Sequence, residues 1–255
     1  MRTIIKYVML DLIKNRIILA YTLFLLAVSI GVFSMDVNST KGIMSLMNLL
    51  LIFIPLVSII FSTIYVYNSS EFIELLVAQP LKRKTLWLSI YGGLALSLSL
   101  AFFVGIGIPV LIYDGTATGT ILIISGLFQT IIFTGLALLA SVKTRDKAKG
   151  IGISILLWFF FTLIYDAIVL LILFQFSDYP IEKPMIILSM INPVDLSRIL
   201  ILLKLDISAL MGYTGAVFQE FFGSGYGISL SVLVLLLWSV MPVWFSLKNF
   251  QKKDL

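Results

Sequence analysis

The chain has 255 residues, of which 60% are hydrophobic and only 12% are charged, and its net charge is +5. A soluble domain averages about 45–50% apolar residues, so this composition excludes an ordinary globular protein and indicates a membrane protein. The chain contains no His and no Cys. That inventory excludes HExxH zinc proteases, Ser-His catalysis and thiolate metal sites, and we predict neither catalytic residues nor a metal site in this chain.

The N-terminal sixteen residues are predicted to form an amphipathic helix that leads into the first membrane span. Its apolar side chains recur at helical spacing, opposite Arg2, Lys6 and Asp11. Such a segment lies in the plane of the membrane. Anchoring is the favoured role, although this elbow would also offer a cytoplasmic partner a second surface.

Six apolar stretches are long enough to cross a bilayer, which takes about 20 helical residues. They cover residues 17–35, 43–65, 86–112, 121–142, 150–176 and 227–247. In lipid, every backbone polar group must pair within its own segment, so helices are expected. We predict an all-α polytopic membrane protein that forms one transmembrane domain over residues 1–255.

The basic residues predict the orientation of these spans. Most of the 18 Lys and Arg residues lie before the first span, between the second and third, between the fourth and fifth, or after the sixth. The opposite side holds only Lys41, Lys183, Arg198 and Lys204. Loops rich in Lys and Arg stay in the cytoplasm, so both termini are predicted to be cytoplasmic. The positive charge then reflects topology and gives no indication of nucleic-acid binding.

The cytoplasmic segment 67–84 is predicted to contain a short amphipathic helix. Asn68 followed by Glu71 has the spacing of an N-cap and its capping partner, and Glu74 extends the acidic start. Pro80 predicts that the helix ends at or just before that position. Phe72, Leu75, Leu76 and Gln79 are expected on one face, and Arg83 belongs to the basic residues that follow. Two interpretations remain open, an interfacial connector and a docking helix for a soluble partner.

The external segment 177–226 is the only long loop. Asn192 is predicted to cap a helix that begins at Pro193, with Asp195 as the capping partner. This helix is too short and too charged for a seventh span, and we expect Arg198 and Asp206 to point outward. Tyr213 and Phe218 follow in a glycine-containing stretch. Docking of an extracytoplasmic partner is favoured over interfacial anchoring of the aromatic residues.

Asp166 is the only charged side chain inside the six predicted spans. An ionised carboxylate there costs about 2.5–3.5 kcal/mol on insertion scales, so it should face protein or water. With no basic residue in any span, the expected partners are Tyr hydroxyls, Gln129, backbone dipoles or a second copy of Asp166. We therefore expect Asp166 to line an inter-subunit or cavity surface.

The cytoplasmic segment resembles the corresponding part of type-2 ABC exporter permeases. In that family the stretch reads approximately G-T-x-x-x-L-L-x-x-P-x-x-R, and the matching residues here are Leu75, Leu76, Pro80 and Arg83. Glu71 and Phe72 stand where the family usually has Gly-Thr. The resemblance implies a permease subunit in the bacterial inner membrane that works with a separate cytoplasmic ATPase. Since the chain has no G-x-x-x-x-G-K-[ST] loop, that partner would hold ATP and Mg²⁺.

The external stretch from Asn192 to Arg198, with Asp206 and Tyr213 beyond it, is similar to permeases that serve maturation of the copper site of nitrous oxide reductase. This resemblance implies a permease homodimer with a NosF-like ATPase and a periplasmic β-helix protein, NosD-like. The ATPase would meet Asn68, Glu71, Glu74, Leu75, Leu76, Pro80 and Arg83. The periplasmic partner would meet Asn192, Pro193, Asp195, Arg198, Asp206, Tyr213 and Phe218. The alternatives are an ABC exporter of lipid, peptide or antibiotic, and a secondary transporter or membrane scaffold.

Overall fold

Helices account for nearly all of the described chain. The structure is a computed structural model that describes residues 2–35, 39–176, 179, 182–205, 221–222 and 225–252. The helices are α1 (Arg2–Ile13), α2 (Arg16–Met35), α3 (Ser39–Asn68), α4 (Ser70–Val77), α5 (Arg83–Phe102), α6 (Ile108–Tyr113), α7 (Ala117–Lys143), α8 (Lys147–Phe159), α9 (Tyr165–Gln175), α10 (Glu182–Ile191), α11 (Pro193–Lys204) and α12 (Gly225–Lys252). Two π-helical turns, π1 (Phe103–Gly107) and π2 (Phe160–Ile164), join α5 to α6 and α8 to α9. No β-strand occurs in these residues, which confirms the all-α prediction.

Among the described residues, six helical stretches are long and apolar enough to cross a membrane, as the sequence predicts. They are Arg16–Met35, Lys41–Asn68, Arg83–Tyr113, Ala117–Lys143, Lys147–Gln175 and Gly225–Lys252. We call them spans one to six. The end of the bundle that contains α4, the α7–α8 connection and the end of α12 is called the basic end. The other end, with the α6–α7 connection and the end of α11, is called the opposite end.

Span four lies at the centre of the bundle, and span five lies at its edge. In the most apolar 18-residue stretch of each span, 72% of span four is buried but only 17% of span five. Helix α7 packs against α3, α5, α8, α11 and α12. Small residues permit this close packing; the ring of Phe102, for example, lies directly over the Cα of Gly126. Span five therefore has far less protein around it than span four.

The elbow helix α1 packs against span three. Val8 and Leu12 are fully buried, and a Cβ atom added at Gly93 would lie 2.5 Å from Val8 Cγ1. Between α1 and α2 the backbone N–H of Ile17 donates to Asn15 Oδ1 at 2.8 Å. The predicted amphipathic helix is present, and protein covers the part of its apolar face around Val8 and Leu12.

The segment after span five folds back into the bundle. Helices α10 and α11 meet at a bend of 114°, which is the geometry of a broken span or a re-entrant loop. Helix α11 contacts α3, α7 and α12. Leu196 and Ile201, on different faces of this helix, are both fully buried. Pro193 begins the helix as predicted, but the helix lies within the bundle, because apolar residues surround its axis on more than one side.

Candidate functional site

At the basic end, α4 presents an acidic face with one exposed apolar residue. Ile73 is buried, whereas Glu71 and Glu74 are exposed and Leu75 is 68% exposed. The face predicted to carry Leu75 is thus partly exposed, because Ile73 occupies the position that packs on the bundle. Glu71, Glu74 and Leu75 follow the spacing of neighbours on a helix surface. Together they form a continuous surface available to another protein.

The start of α4 differs from the predicted cap. Ser69 is the N-cap residue, and its side chain makes no capping hydrogen bond. Asn68 Oδ1 instead accepts a hydrogen bond from Lys147 Nζ at 2.7 Å. The Asn68 capping prediction is wrong, because α3 continues through Asn68 and its side chain is used between elements. The predicted stop before Pro80 is confirmed, since α4 ends at Val77.

Helices α4 and α1 touch, so the two predicted cytoplasmic surfaces form one. The rings of Tyr7 and Phe72 stack with their centroids 5.6 Å apart. Tyr65, near the end of α3, donates a hydrogen bond to Asp11 of α1 at 3.5 Å. Beyond α4, Arg83 begins α5 and its Nη1 donates to the carbonyl oxygen of Gln251 at 3.4 Å. Helix α4 thus contacts α1, and Arg83 links the start of span three to the end of span six.

A cavity of about 410 Å³ lies beside α4 at the basic end. Ile73 and Glu74 of α4 line it, together with Trp87, Thr144 and Arg145 from neighbouring elements. Across this region the hydroxyl groups of Tyr67 and Thr144 form a hydrogen bond at 2.5 Å. The cavity separates part of α4 from the ends of spans three and four.

Between the middle of the spans and the opposite end, Asp166 pairs with Arg198. Arg198 Nη1 donates to Asp166 Oδ2 at 2.6 Å and to Asp195 Oδ1 at 3.3 Å. The expectation that Arg198 points outward is wrong, and so is the set of partners expected for Asp166. The predicted spans contain no basic residue, but α11 folds back into the bundle and brings Arg198 to span five. This pairing compensates the charge of Asp166, as a carboxylate in a membrane span requires.

Asn192 and Gln129 fix the position of the α10–α11 turn. The backbone N–H of Val194 donates to Asn192 Oδ1 at 3.0 Å, so the predicted Asn192 cap is confirmed. Asn192 Nδ2 donates to the carbonyl oxygen of Phe161 at 2.8 Å. Gln129 Nε2 donates to the carbonyl oxygen of Pro193 at 2.7 Å and to Ser197 Oγ at 2.8 Å. Buried polar groups thus tie α11 to spans four and five.

The predicted docking residues of the opposite end therefore divide into two groups. Asn192, Pro193 and Asp195 are buried in the bundle, and Arg198 is only partly exposed. Asp206, Tyr213 and Phe218 lie outside the described residues. In this conformation the buried residues hold the hairpin in place, and docking at this end stays a prediction.

No protein-family model matches the chain. The chain combines six spans with an elbow helix and with a surface helix between spans two and three. Its sequence is similar to those of ABC transporter permeases. The chain is 24% identical over 262 residues to the probable ABC transporter permease protein NosY of Stutzerimonas stutzeri, covering 92% of this chain and 89% of that protein. It is 27% identical over 231 residues to the protein of the same name from Pseudomonas aeruginosa strain PAO1, covering 82% and 84%. These similarities confirm the resemblance to NosY-like ABC permeases and support a multi-pass transporter subunit.

Proposed function

We propose that this chain is the membrane-spanning permease subunit of an ABC transporter that acts in maturation of the copper site of nitrous oxide reductase. The similarity to two NosY proteins along most of the chain carries this proposal. The chain would lie in the bacterial inner membrane as a homodimer, with its basic end in the cytoplasm as the Lys and Arg distribution predicts. Its partners would be a NosF-like ATPase, which binds ATP and Mg²⁺, and a NosD-like β-helix protein.

The exposed face of α4 is the proposed contact for the ATPase. Glu71 and Glu74 would pair with basic residues of the partner, and Leu75 would enter an apolar recess between them. Such an interface combines a desolvated apolar centre with charges that set orientation and rate of association. Pro80 and Arg83 lie behind this surface and connect it to span three. The acidic face predicts a basic complementary surface on the ATPase.

The proposed mechanism is mechanical. Closure of two ATPase subunits on ATP would move α4 and with it α1 and the basic ends of the spans, because Tyr7 and Phe72 stack and α4 borders a cavity. Rigid helices transmit such a movement to the opposite end, where a periplasmic partner would respond. The alternative exporter of lipid, peptide or antibiotic would share the contact at α4. It would differ in the function of residues 192–222.

Charge reversal on α4 tests the proposed ATPase contact. The double substitution Glu71→Lys and Glu74→Lys should weaken binding of the partner ATPase at least tenfold, or about 1.4 kcal/mol, because opposite charges become like charges. Binding is measured with the purified ATPase and the permease in detergent. Glu71→Gln with Glu74→Gln removes the charges without reversing them and should have a smaller effect.

The control is Asp11→Lys, which changes the charge by +2, as Glu71→Lys alone does, at the same end of the bundle but on α1. It should reduce binding by less than Glu71→Lys alone. Unchanged ATPase binding by the double Lys variant would contradict the proposed contact.

Exchanging residues 192–222 for those of an unrelated exporter permease should abolish nitrous oxide reductase maturation while ATPase binding persists. Continued maturation after that exchange would favour the exporter alternative.

A further inference from the structure

Span five contains an irregular turn at the depth where it meets the α10–α11 hairpin. In π2 the backbone N–H of Tyr165 bonds to the carbonyl oxygen of Phe160, five residues earlier. A π turn changes the partners of the neighbouring carbonyls, and such turns occur frequently at functional sites. Here the side chain of Asn192 supplies a donor to the carbonyl oxygen of Phe161. The irregular turn of span five is therefore bonded to the hairpin.

Three polar contacts connect span five to successive parts of the hairpin. Tyr165 Oη donates to the carbonyl oxygen of Leu188 in α10 at 2.6 Å. Asn192, in the bend, binds the carbonyl oxygen of Phe161 at 2.8 Å. Arg198, in α11, binds Asp166 at 2.6 Å. All three contacts lie within residues 161–166 of span five, so a movement of this short segment affects the whole hairpin.

The Arg198–Asp166 ion pair can break without leaving Arg198 unpaired. Arg198 has a second carboxylate in its own helix, Asp195, three residues before it. If span five moved away, Arg198 would keep that partner and would not become an unpaired charge. Asp166 is held through one oxygen only, since its buried Oδ1 has no hydrogen-bond partner among the described residues. Separation thus breaks one ion pair and leaves the other intact.

The two sides of this contact differ in how firmly the protein holds them. Helix α11 is fixed to the central span four by the two hydrogen bonds of Gln129. Hydrogen bonds of Ser154 and Trp158 hold the first half of span five to span two, whereas α9, beyond π2, has few contacts with the rest of this chain. Few contacts let α9 separate before α11 loses its bonds to span four. The α9 half of span five is consequently the element that moves first, and the hairpin, which then has fewer contacts, is the element that responds.

We propose that the Tyr165–Leu188, Asn192–Phe161 and Arg198–Asp166 contacts between span five and the α10–α11 hairpin form a releasable latch that keeps the hairpin closed against the bundle. Release of the latch opens the hairpin and raises the exposure of its polar residues towards the opposite end. The latch is a property of this chain alone. Its use in the ATP-driven cycle rests on the proposed function, where it would give the periplasmic partner access to Asn192, Asp195 and Arg198.

Amide hydrogen exchange of the full chain in detergent, without ATPase, tests the latch. Arg198→Ala and Asp166→Asn should each accelerate exchange of residues 184–205 about tenfold to a hundredfold, since each removes a hydrogen bond to a charged group. Exchange of the central residues 126–140 should stay unchanged. Lys204→Ala is the matched control, because it removes a cation from the exposed end of the same helix and should leave exchange as in the unaltered chain.

Exchanging the two charges gives a second, independent measurement. Asp166→Arg combined with Arg198→Asp should restore a large part of the protection that either single reversal removes. Protection of residues 184–205 that is unaffected by Arg198→Ala and by Asp166→Asn would overturn the latch. So would faster exchange throughout the bundle in Asp166→Asn, because that result would mean general destabilisation. These outcomes are separate from ATPase binding, so the latch and the contact at α4 can fail independently.

Discussion

Replacement of Asn192 by Ala should destabilise the protein by about 1–4 kcal/mol, through two separable losses. The side chain is fully buried, and its oxygen caps α11 by accepting from the N–H of Val194. Loss of an N-cap costs about 0.5–2 kcal/mol. Its amide nitrogen also binds the carbonyl oxygen of Phe161, and a hydrogen bond inside a membrane protein contributes on average about 0.6 and at most about 1.7 kcal/mol. The two losses add because they involve different backbone groups.

The two terms can be separated by Asn192→Ser. Serine can still cap α11 but is too short to reach Phe161, so its loss should be about half that of Ala. The assay is the free energy of unfolding in mixed detergent micelles. Asn68→Ala is the matched control, because Asn68 binds the exposed Lys147 at the surface, and its loss should stay below about 0.5 kcal/mol. A loss of less than about 0.5 kcal/mol for Asn192→Ala would refute this account of the turn.

Two further substitutions test the packing of the spans. Gly150→Ala should lower the free energy of unfolding by about 1–3 kcal/mol, because the new Cβ would overlap the ring of Tyr67. Gly152→Ala, with open space around it, should be neutral or slightly stabilising. Equal effects in the two variants would contradict the observed packing. Ser246→Ala removes the partner of the buried Trp87 Nε1, 2.9 Å away, and should cost about 1 kcal/mol more than Ser229→Ala on the same helix. The same unfolding assay checks both, and indistinguishable Ser variants would be evidence against the Trp87 hydrogen bond.

The spans were predictable because each is a long apolar run whose ends carry charged or turn residues. Predicted and observed bounds of span one differ by a single residue at its start, Ile17 against Arg16. The start of α11 was predictable for a similar reason, since Asn192 and Pro193 are local signals of a helix N-terminus. Local patterns of this kind act over a few residues, and the tertiary structure did not override them.

The partner of Asp166 could not be predicted from local pattern. Arg198 lies 32 residues further along the chain, and the ion pair forms only because α11 folds back against span five. The spacing of Leu196, Ile199 and Leu200 indicates a buried face of α11, but its burial on more than one side depends on how α7 and α12 enclose it. The π turns left no compositional signal either, because phenylalanine, leucine and isoleucine suit regular helices equally well in lipid.

Purification of the tagged protein from its native membrane, with mass spectrometry of the chains that remain bound, tests the central proposal most directly. The account predicts an ATP-binding chain in the purified complex, together with a secreted β-helical protein. It also predicts that the Glu71→Lys, Glu74→Lys variant loses the ATP-binding chain. Recovery of no ATP-binding chain, under conditions that preserve a control membrane complex, would contradict the assignment as an ABC permease subunit.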